Sequence, residues 1–186
     1  MNKYFIGILL IFCSCKLIFR ATGDIKNPKP ETESSIVETV KSITLHTDGI
    51  YVCEDFKNLK YFTDSIRGSV PFVYIFDTTL RYVYKSQNCP WQNASALDSS
   101  LISGAWKTDT TISLSKIIKT LKLIDGSKLN LDNKYDHIIF YVWAKYVPKL
   151  SKSMIKEMGD YNKSLHERIY IGSINLDLQK SWQEEK

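Results

Sequence analysis

The strongest hydrophobic pattern in this chain lies toward its carboxyl end. His137 to Ala144 (HIIFYVWA) is an almost unbroken run of strand-favouring apolar residues, the pattern of a strand buried on both faces. From Pro148 the period changes. Leu150, Met154, Ile155, Met158 and Tyr161 recur at intervals of three and four, one apolar helical stripe, and proline suits the first helical position. Gly159 and Asn162 mark where that helix weakens, and Arg168 to Leu176 predicts a second strand. Two apolar strands joined through a helix make a parallel βαβ unit with a right-handed crossover.

Upstream, the pattern predicts shorter elements. Val37 to Cys53 reads as a hairpin, with SITLH and IYVC flanking the Thr47-Asp48-Gly49 turn. Phe56 to Ile66 puts Leu59, Phe62 and Ile66 on one side of a short helix. Val70-Pro71-Phe72-Val73-Tyr74-Ile75-Phe76-Asp77, Thr78-Thr79 and Leu80 to Tyr84 form a second hairpin. Cys89 to Trp106 is irregular. Ile112 to Leu121 then predicts a helix, with Leu114, Ile117, Ile118 and Leu121 in phase and Ser113 as its cap.

The first residues address the chain rather than fold it. Lys3 gives a short positive segment, Tyr4 to Phe12 an apolar core, and Ser14-Cys15 a small residue before a cysteine, the form of a lipoprotein signal cleaved before Cys15. Lys16 interrupts the apolar run well before the ~20 residues that span a bilayer. The rival readings are an ordinary cleaved signal and an uncleaved anchor. Ala21 to Ser35, polar and carrying two prolines, predicts a tether.

Composition narrows the class. With 186 residues, 44% hydrophobic and 24% charged, the chain suits one globular domain or two small ones closely packed. Its net charge is +5, one less if Lys3 leaves with the signal, and the lysines scatter. Export and this mild, unclustered charge exclude nucleic acid as the expected partner.

The residues of the βαβ unit carry a resemblance. Strand, Trp143-Ala144, Lys145-Tyr146, Val147-Pro148-Lys149-Leu150, helix, strand and Asn175-Leu176-Asp177 resemble the active-site half of thioredoxin-like proteins, especially the exported TlpA and ResA type. That family reads W-A-x-W-C-x-x-C, so Tyr146 matches the second Trp, while Val147 and Leu150 stand where the redox cysteines belong. The chemistry needs a thiolate at the helix N-terminus and a second thiol to resolve the mixed disulfide. Neither Val nor Leu can supply one. The resemblance covers the last third of the chain, from Leu121 if Leu123 to Leu129 is the family's opening hairpin. It implies a cis proline at Pro71, because Val70-Pro71 and its hairpin resemble the unit that follows the active-site half in thioredoxins.

Here that unit precedes it. After Asp177 too few residues remain for the last strands of such a fold, and a sheet edge needs covering. Either the 70–85 hairpin fills that place in permuted order, or it belongs to a separate small β subdomain, the commoner use of such a hairpin. The fold class expected is therefore α/β. The divisions are a signal peptide at 1–14, a lipidated cysteine and tether at 15–35, a hairpin-rich region at 36–110 and the thioredoxin-like βαβ region at 111–186.

Other chemistry is sparse. Cys53 and Cys89, each near a hairpin end in an oxidising compartment, read first as a structural disulfide and second as a redox pair. His46, His137 and His166 are dispersed and give no metal spacing. There is no G-x-S-x-G elbow and no glycine-rich phosphate loop. Ser151-Lys152-Ser153 reads as a solvated helix face, and Asp77, Asp125 and Asp177 as turn or cap residues. Trp143, Tyr146 and Trp182 are aromatic candidates for an apolar surface, Trp143 more simply for the core.

The expectation is an exported lipoprotein, held by its lipid at the cell or outer membrane and facing the periplasm or exterior. It needs no cofactor or metal, and its redox-inactive thioredoxin-like domain serves as a binding or scaffold module for an unidentified protein partner. The contact surface is Trp143, Tyr146, Val147, Pro148, Lys149 and Leu150. A thiol–disulfide oxidoreductase using Cys53 and Cys89 is the alternative, and a ligand-free structural protein the third reading.

Overall fold

The structure, a computed structural model, describes residues 25–43, 47–66, 70–77, 81–85, 109–127, 135–164 and 168–183. The signal peptide, Cys15, Cys89, His46, His166 and the 86–108 segment lie outside the described residues. The chain is α/β. Its elements in order are α1 (Glu33–Ser42), β1 (Gly49–Cys53), α2 (Phe56–Ile66), β2 (Phe72–Asp77), β3 (Arg81–Lys85), β4 (Asp109–Ser113), α3 (Leu114–Ile118), β5 (Leu121–Leu123), β6 (His137–Trp143), α4 (Pro148–Ser164) and β7 (Ile169–Asn175), with a short 3₁₀ turn at Lys180–Gln183.

All seven strands share one mixed sheet in the order β4-β3-β2-β6-β7-β1-β5. β6, β7 and β1 are mutually parallel at its centre, as the βαβ pattern requires, and antiparallel strands flank them on both sides. The 70–85 hairpin therefore does not stand apart as a subdomain. β2 pairs with β6 along its whole length, from Phe72 opposite Val142 to Asp77 opposite His137. A strand with five consecutive apolar residues, Phe72 to Phe76, buried on both faces finds that environment inside a sheet covered by helices on both sides.

Strand alternation sorts the core into two layers. One face carries Tyr51, Phe72, Tyr74, Phe76, Phe140 and Tyr170, covered by Leu59 and Phe62 of α2 and Leu114 and Ile117 of α3. The opposite face carries Val52, Val73, Ile75, Ile139, Tyr141, Trp143 and Ile171, covered by Ile36 and Val40 of α1 and Met154 and Ile155 of α4. Gly172 falls on the aromatic face, directly under the Phe140 ring, which occupies the space a Cβ would need.

Three sequence expectations need correction. The Val37 to Cys53 hairpin is instead a helix followed by a strand: Ile36, Val40 and Ile43 are spaced for one helical face, and Thr32 caps α1 by accepting from the Ser35 N–H at 3.2 Å. The predicted 112–121 helix keeps its Ser113 cap, which accepts from the Lys116 N–H, but shortens to Leu114–Ile118 because its ends join β4 and β5. The distal half of the tether is part of the fold. Glu31 bridges to Gln179, its N–H donating to Leu178 O at 2.7 Å and its carbonyl accepting from Lys180 N–H at 2.9 Å.

Candidate functional site

The parallel strands β6 and β7 end side by side, and the chain turns from β6 into α4 over Ala144 to Val147. Ser151, in the first turn of α4, fastens this turn: its Oγ donates to Ala144 O at 2.8 Å, and the Val147 N–H donates to the same carbonyl at 3.2 Å. Trp143, the last residue of β6, is 1% exposed and donates through Nε1 to Ser173 Oγ on β7 at 2.8 Å. It is core, with its one polar atom satisfied.

A buried carboxylate organises the other side of the turn. Asp177, 2% exposed, accepts at Oδ2 from the Lys145 N–H at 2.8 Å and from Asn175 Nδ2 at 2.7 Å. Its own N–H donates to Asn175 Oδ1, and Gln179 Nε2 donates to its carbonyl. Burial raises the Asp177 carboxyl above its ordinary pKa, and the hydrogen bonds from Lys145 and Asn175 offset only part of that rise. Asp177 is thus a cap, as its strand-end position suggests.

Lys145 reaches the opposite way. Its Nζ lies 2.6 Å from Glu31 Oε2, which also accepts from Ser35 Oγ at 2.7 Å. Partial burial of Glu31 opposes ionisation, but the Lys145 and Ser35 hydrogen bonds and the Lys145 charge outweigh it, holding its pKa below the ordinary value. The Lys26 N–H donates to Tyr146 O at 2.7 Å, so residues 26–31 form a strap across the ends of both strands. Sequence reading missed Glu31 and Lys145. Their partners lie 114 positions apart, and no local pattern links them.

The residues of the expected contact surface are brought together here. Val147 is buried, 5% exposed; Tyr146 and Leu150 are half-buried, Pro148 is partly exposed and Lys149 exposed. Burial, then the charge of Asp177, raises the Tyr146 phenol. The Val70–Pro71 bond is cis, and continuing the β2/β6 register sets Pro71 opposite Trp143, at this same end of the sheet. No sulfur is among these residues.

Cys53 is elsewhere, at the end of β1 in the aromatic-face core, 1% exposed. Its thiol is free, and Cys89, the partner expected for it, lies outside the described residues. The Cys53 side chain lies in the apolar layer covered by Leu59 and Phe62. Burial, with the Asp55 charge adding, pushes this thiol up to about 12. Such a group is a poor nucleophile. His137 opens β6, and no cluster of His, Cys, Asp or Glu among the described residues could hold a metal ion. Trp182 is a half-buried anchor of the carboxyl end, its Nε1 donating to Glu54 O at 3.1 Å.

Compared with protein-family models, curated proteins and solved structures, the chain matches none. Among the described residues no helix is long and apolar enough to cross a membrane.

Proposed function

We infer that this chain is an exported lipoprotein whose domain is a redox-inactive, thioredoxin-like module in permuted order, used to bind or position a protein partner. One observation carries the reading. β6, α4 and β7 form the parallel unit, β1 extends it in parallel beyond β7, and the β2–β3 hairpin lies antiparallel against β6, which is the order expected if the hairpin fills the place left open after Asp177. Within that frame the helix-entry positions are Val147 and Leu150. Neither can form a thiolate or a disulfide, so the surface around Tyr146 to Lys149 retains shape and loses chemistry.

The oxidoreductase alternative is weaker, because Cys53 is buried, free and hard to ionise. The address rests on the Ser14-Cys15-Lys16 junction. Metabolic labelling with a fatty acid is expected to mark the wild type and not Cys15→Ser; equal labelling of both, or none, removes the lipoprotein assignment.

The frame is tested by the double variant Val147→Cys/Leu150→Cys. Two sulfurs three residues apart across the first turn of α4 should close a disulfide that dithiothreitol reduces. The first thiol should titrate below the ~8.5 of an unperturbed cysteine, because it sits at a helix N-terminus. New cysteines that stay reduced in oxidising buffer and titrate as ordinary thiols would end the thioredoxin-like reading.

A further inference from the structure

A cleft of about 270 Å³ lies between α1 and the first turns of α4. That is near the low end of small-molecule clefts, which run to about 300–1,000 Å³. Three lysines from three separate segments line it: Lys26 from the strap, Lys145 from the β6–α4 turn and Lys152 from α4. No carboxylate does. Ile43 and Pro148, both partly exposed, add apolar surface over the buried Trp143 and Ile155.

The charge balance of this cleft is settled by its side chains. The carboxyl end of α1 and the amino end of α4 both approach it, and their opposite partial charges offset one another. Its hydroxyls have already donated: Thr39 Oγ1 to Ser35 O, Ser42 Oγ to Thr39 O and Ser151 Oγ to Ala144 O. The donors left are ammonium groups. Lys145 is paired with Glu31, which stands behind it, whereas Lys26 and Lys152 have no ion-pair partner among the described residues. Unpaired like charges lining one cleft are stabilised by an anion that joins them, and the apolar lining favours a ligand with a hydrocarbon body.

We propose that this cleft binds a small amphiphilic oxyanion, a phosphate monoester type of head carried on a short apolar body, with Lys26 and Lys152 holding the head. The site does not depend on the thioredoxin-like reading, since it needs only the packing of the strap and α1 beside α4, whatever family the βαβ unit resembles. A lipid headgroup and a soluble organic phosphate share the required chemistry.

The test is calorimetric titration of the full chain in nonionic detergent with hexyl phosphate. One saturable site is expected, with inorganic phosphate at least about tenfold weaker and hexanol not bound. Lys26→Glu/Lys152→Glu, both at exposed positions, should weaken hexyl phosphate by at least about tenfold with an unchanged circular dichroism spectrum. The same charge change on α2, Lys57→Glu/Lys60→Glu, should leave the affinity intact. Phosphatidylglycerol added to the micelles, with phosphatidylcholine as control, identifies the source: competition assigns a lipid headgroup, and retained hexyl phosphate binding assigns a soluble anion. Absence of saturable binding overturns the proposal. So does equal weakening by both charge-reversed pairs, or hexyl phosphate binding no tighter than inorganic phosphate.

Discussion

The two faces of the sheet are built from different materials, and the difference sets a ring-packed layer apart from the layer that adjoins the strap and the cleft. The face under α2 and α3 is largely rings. Tyr51 and Phe140 meet edge-on with centroids 5.4 Å apart, Phe72 and Tyr74 do so at 4.8 Å, and the Tyr51 and Tyr170 hydroxyls satisfy each other at 2.5 Å. The face under α1 and α4 is mostly aliphatic, and the polar strap, the Lys145–Glu31 pair and the lysine-lined cleft all adjoin it. Rings fill volume in fixed orientations and tolerate little change. Aliphatic layers repack more easily, which suits the face that carries a cleft.

The largest effects should therefore come from the aromatic face. Phe140→Ala is expected to cost about 3–5 kcal/mol, the usual range for a buried phenylalanine. Gly172→Ala should cost about 1–3 kcal/mol, since the new methyl meets the Phe140 ring. Because the ring is the obstacle, the two costs should fall short of adding by at least about 1 kcal/mol in the double variant. Urea unfolding of the four proteins measures this. Additive costs would mean that the ring and the glycine are not coupled.

On the other face, Ile139→Val is expected to cost only about 0.5–1.5 kcal/mol. Trp143→Phe keeps one aromatic ring but removes the pyrrole ring with its N–H, so Ser173 Oγ loses its donor at a cost of about 1–3 kcal/mol and the cavity left behind adds to it. If Ile139→Val destabilises as much as Phe140→Ala, the contrast between the faces is not energetic.

How much of this was legible in the sequence follows the same division. The β6, α4 and β7 elements were readable because their periods are long and uninterrupted, and Pro148 starts the helix where proline is tolerated. The start of α1 was hidden because SITLH and IYVC flank Thr47-Asp48-Gly49, which signals a hairpin turn; the turn residues serve the entrance to β1 instead, with Thr47 Oγ1 donating to Ile171 O at 3.0 Å. The reason for Gly172 lay in Phe140 on a neighbouring strand, which one strand's pattern does not reveal. The strap was hidden for the same cause. A polar segment with two prolines reads as a linker until its partners, Tyr146, Leu178 and Gln179, are known.

At the strap a smaller effect sharpens the comparison further. Thr32→Ala removes the α1 cap and should cost about 1 kcal/mol by thermal unfolding, with little change if the strap's backbone bonds alone hold the helix end.

The last effect is one of pH rather than size, and it separates the two carboxylates at the site. Asp177 has a folded pKa above its ordinary 3.8, so between those values the folded chain keeps a proton that the unfolded chain has released. Its contribution to stability is full below the ordinary value and is lost as pH rises through the folded one. Glu31 behaves oppositely: its folded pKa lies below the ordinary 4.5, so its contribution is full above that value and is lost as pH falls through the folded one. Asp177→Asn removes the first behaviour and leaves the second. An asparagine oxygen can still accept from Lys145 N–H and Asn175 Nδ2, so any cost of the lost second oxygen is a constant offset. The stability of Asp177→Asn relative to wild type should therefore improve as pH rises from the ordinary 3.8 through the folded value and then level off, whereas Glu31→Gln should lose ground as pH rises from its folded value to the ordinary 4.5 and then level off. Urea unfolding at several pH values reads both slopes. A flat difference for Asp177→Asn, or a slope of the opposite sign, would show that burial does not govern Asp177 and that the hydrogen bonds from Lys145 and Asn175 outweigh it.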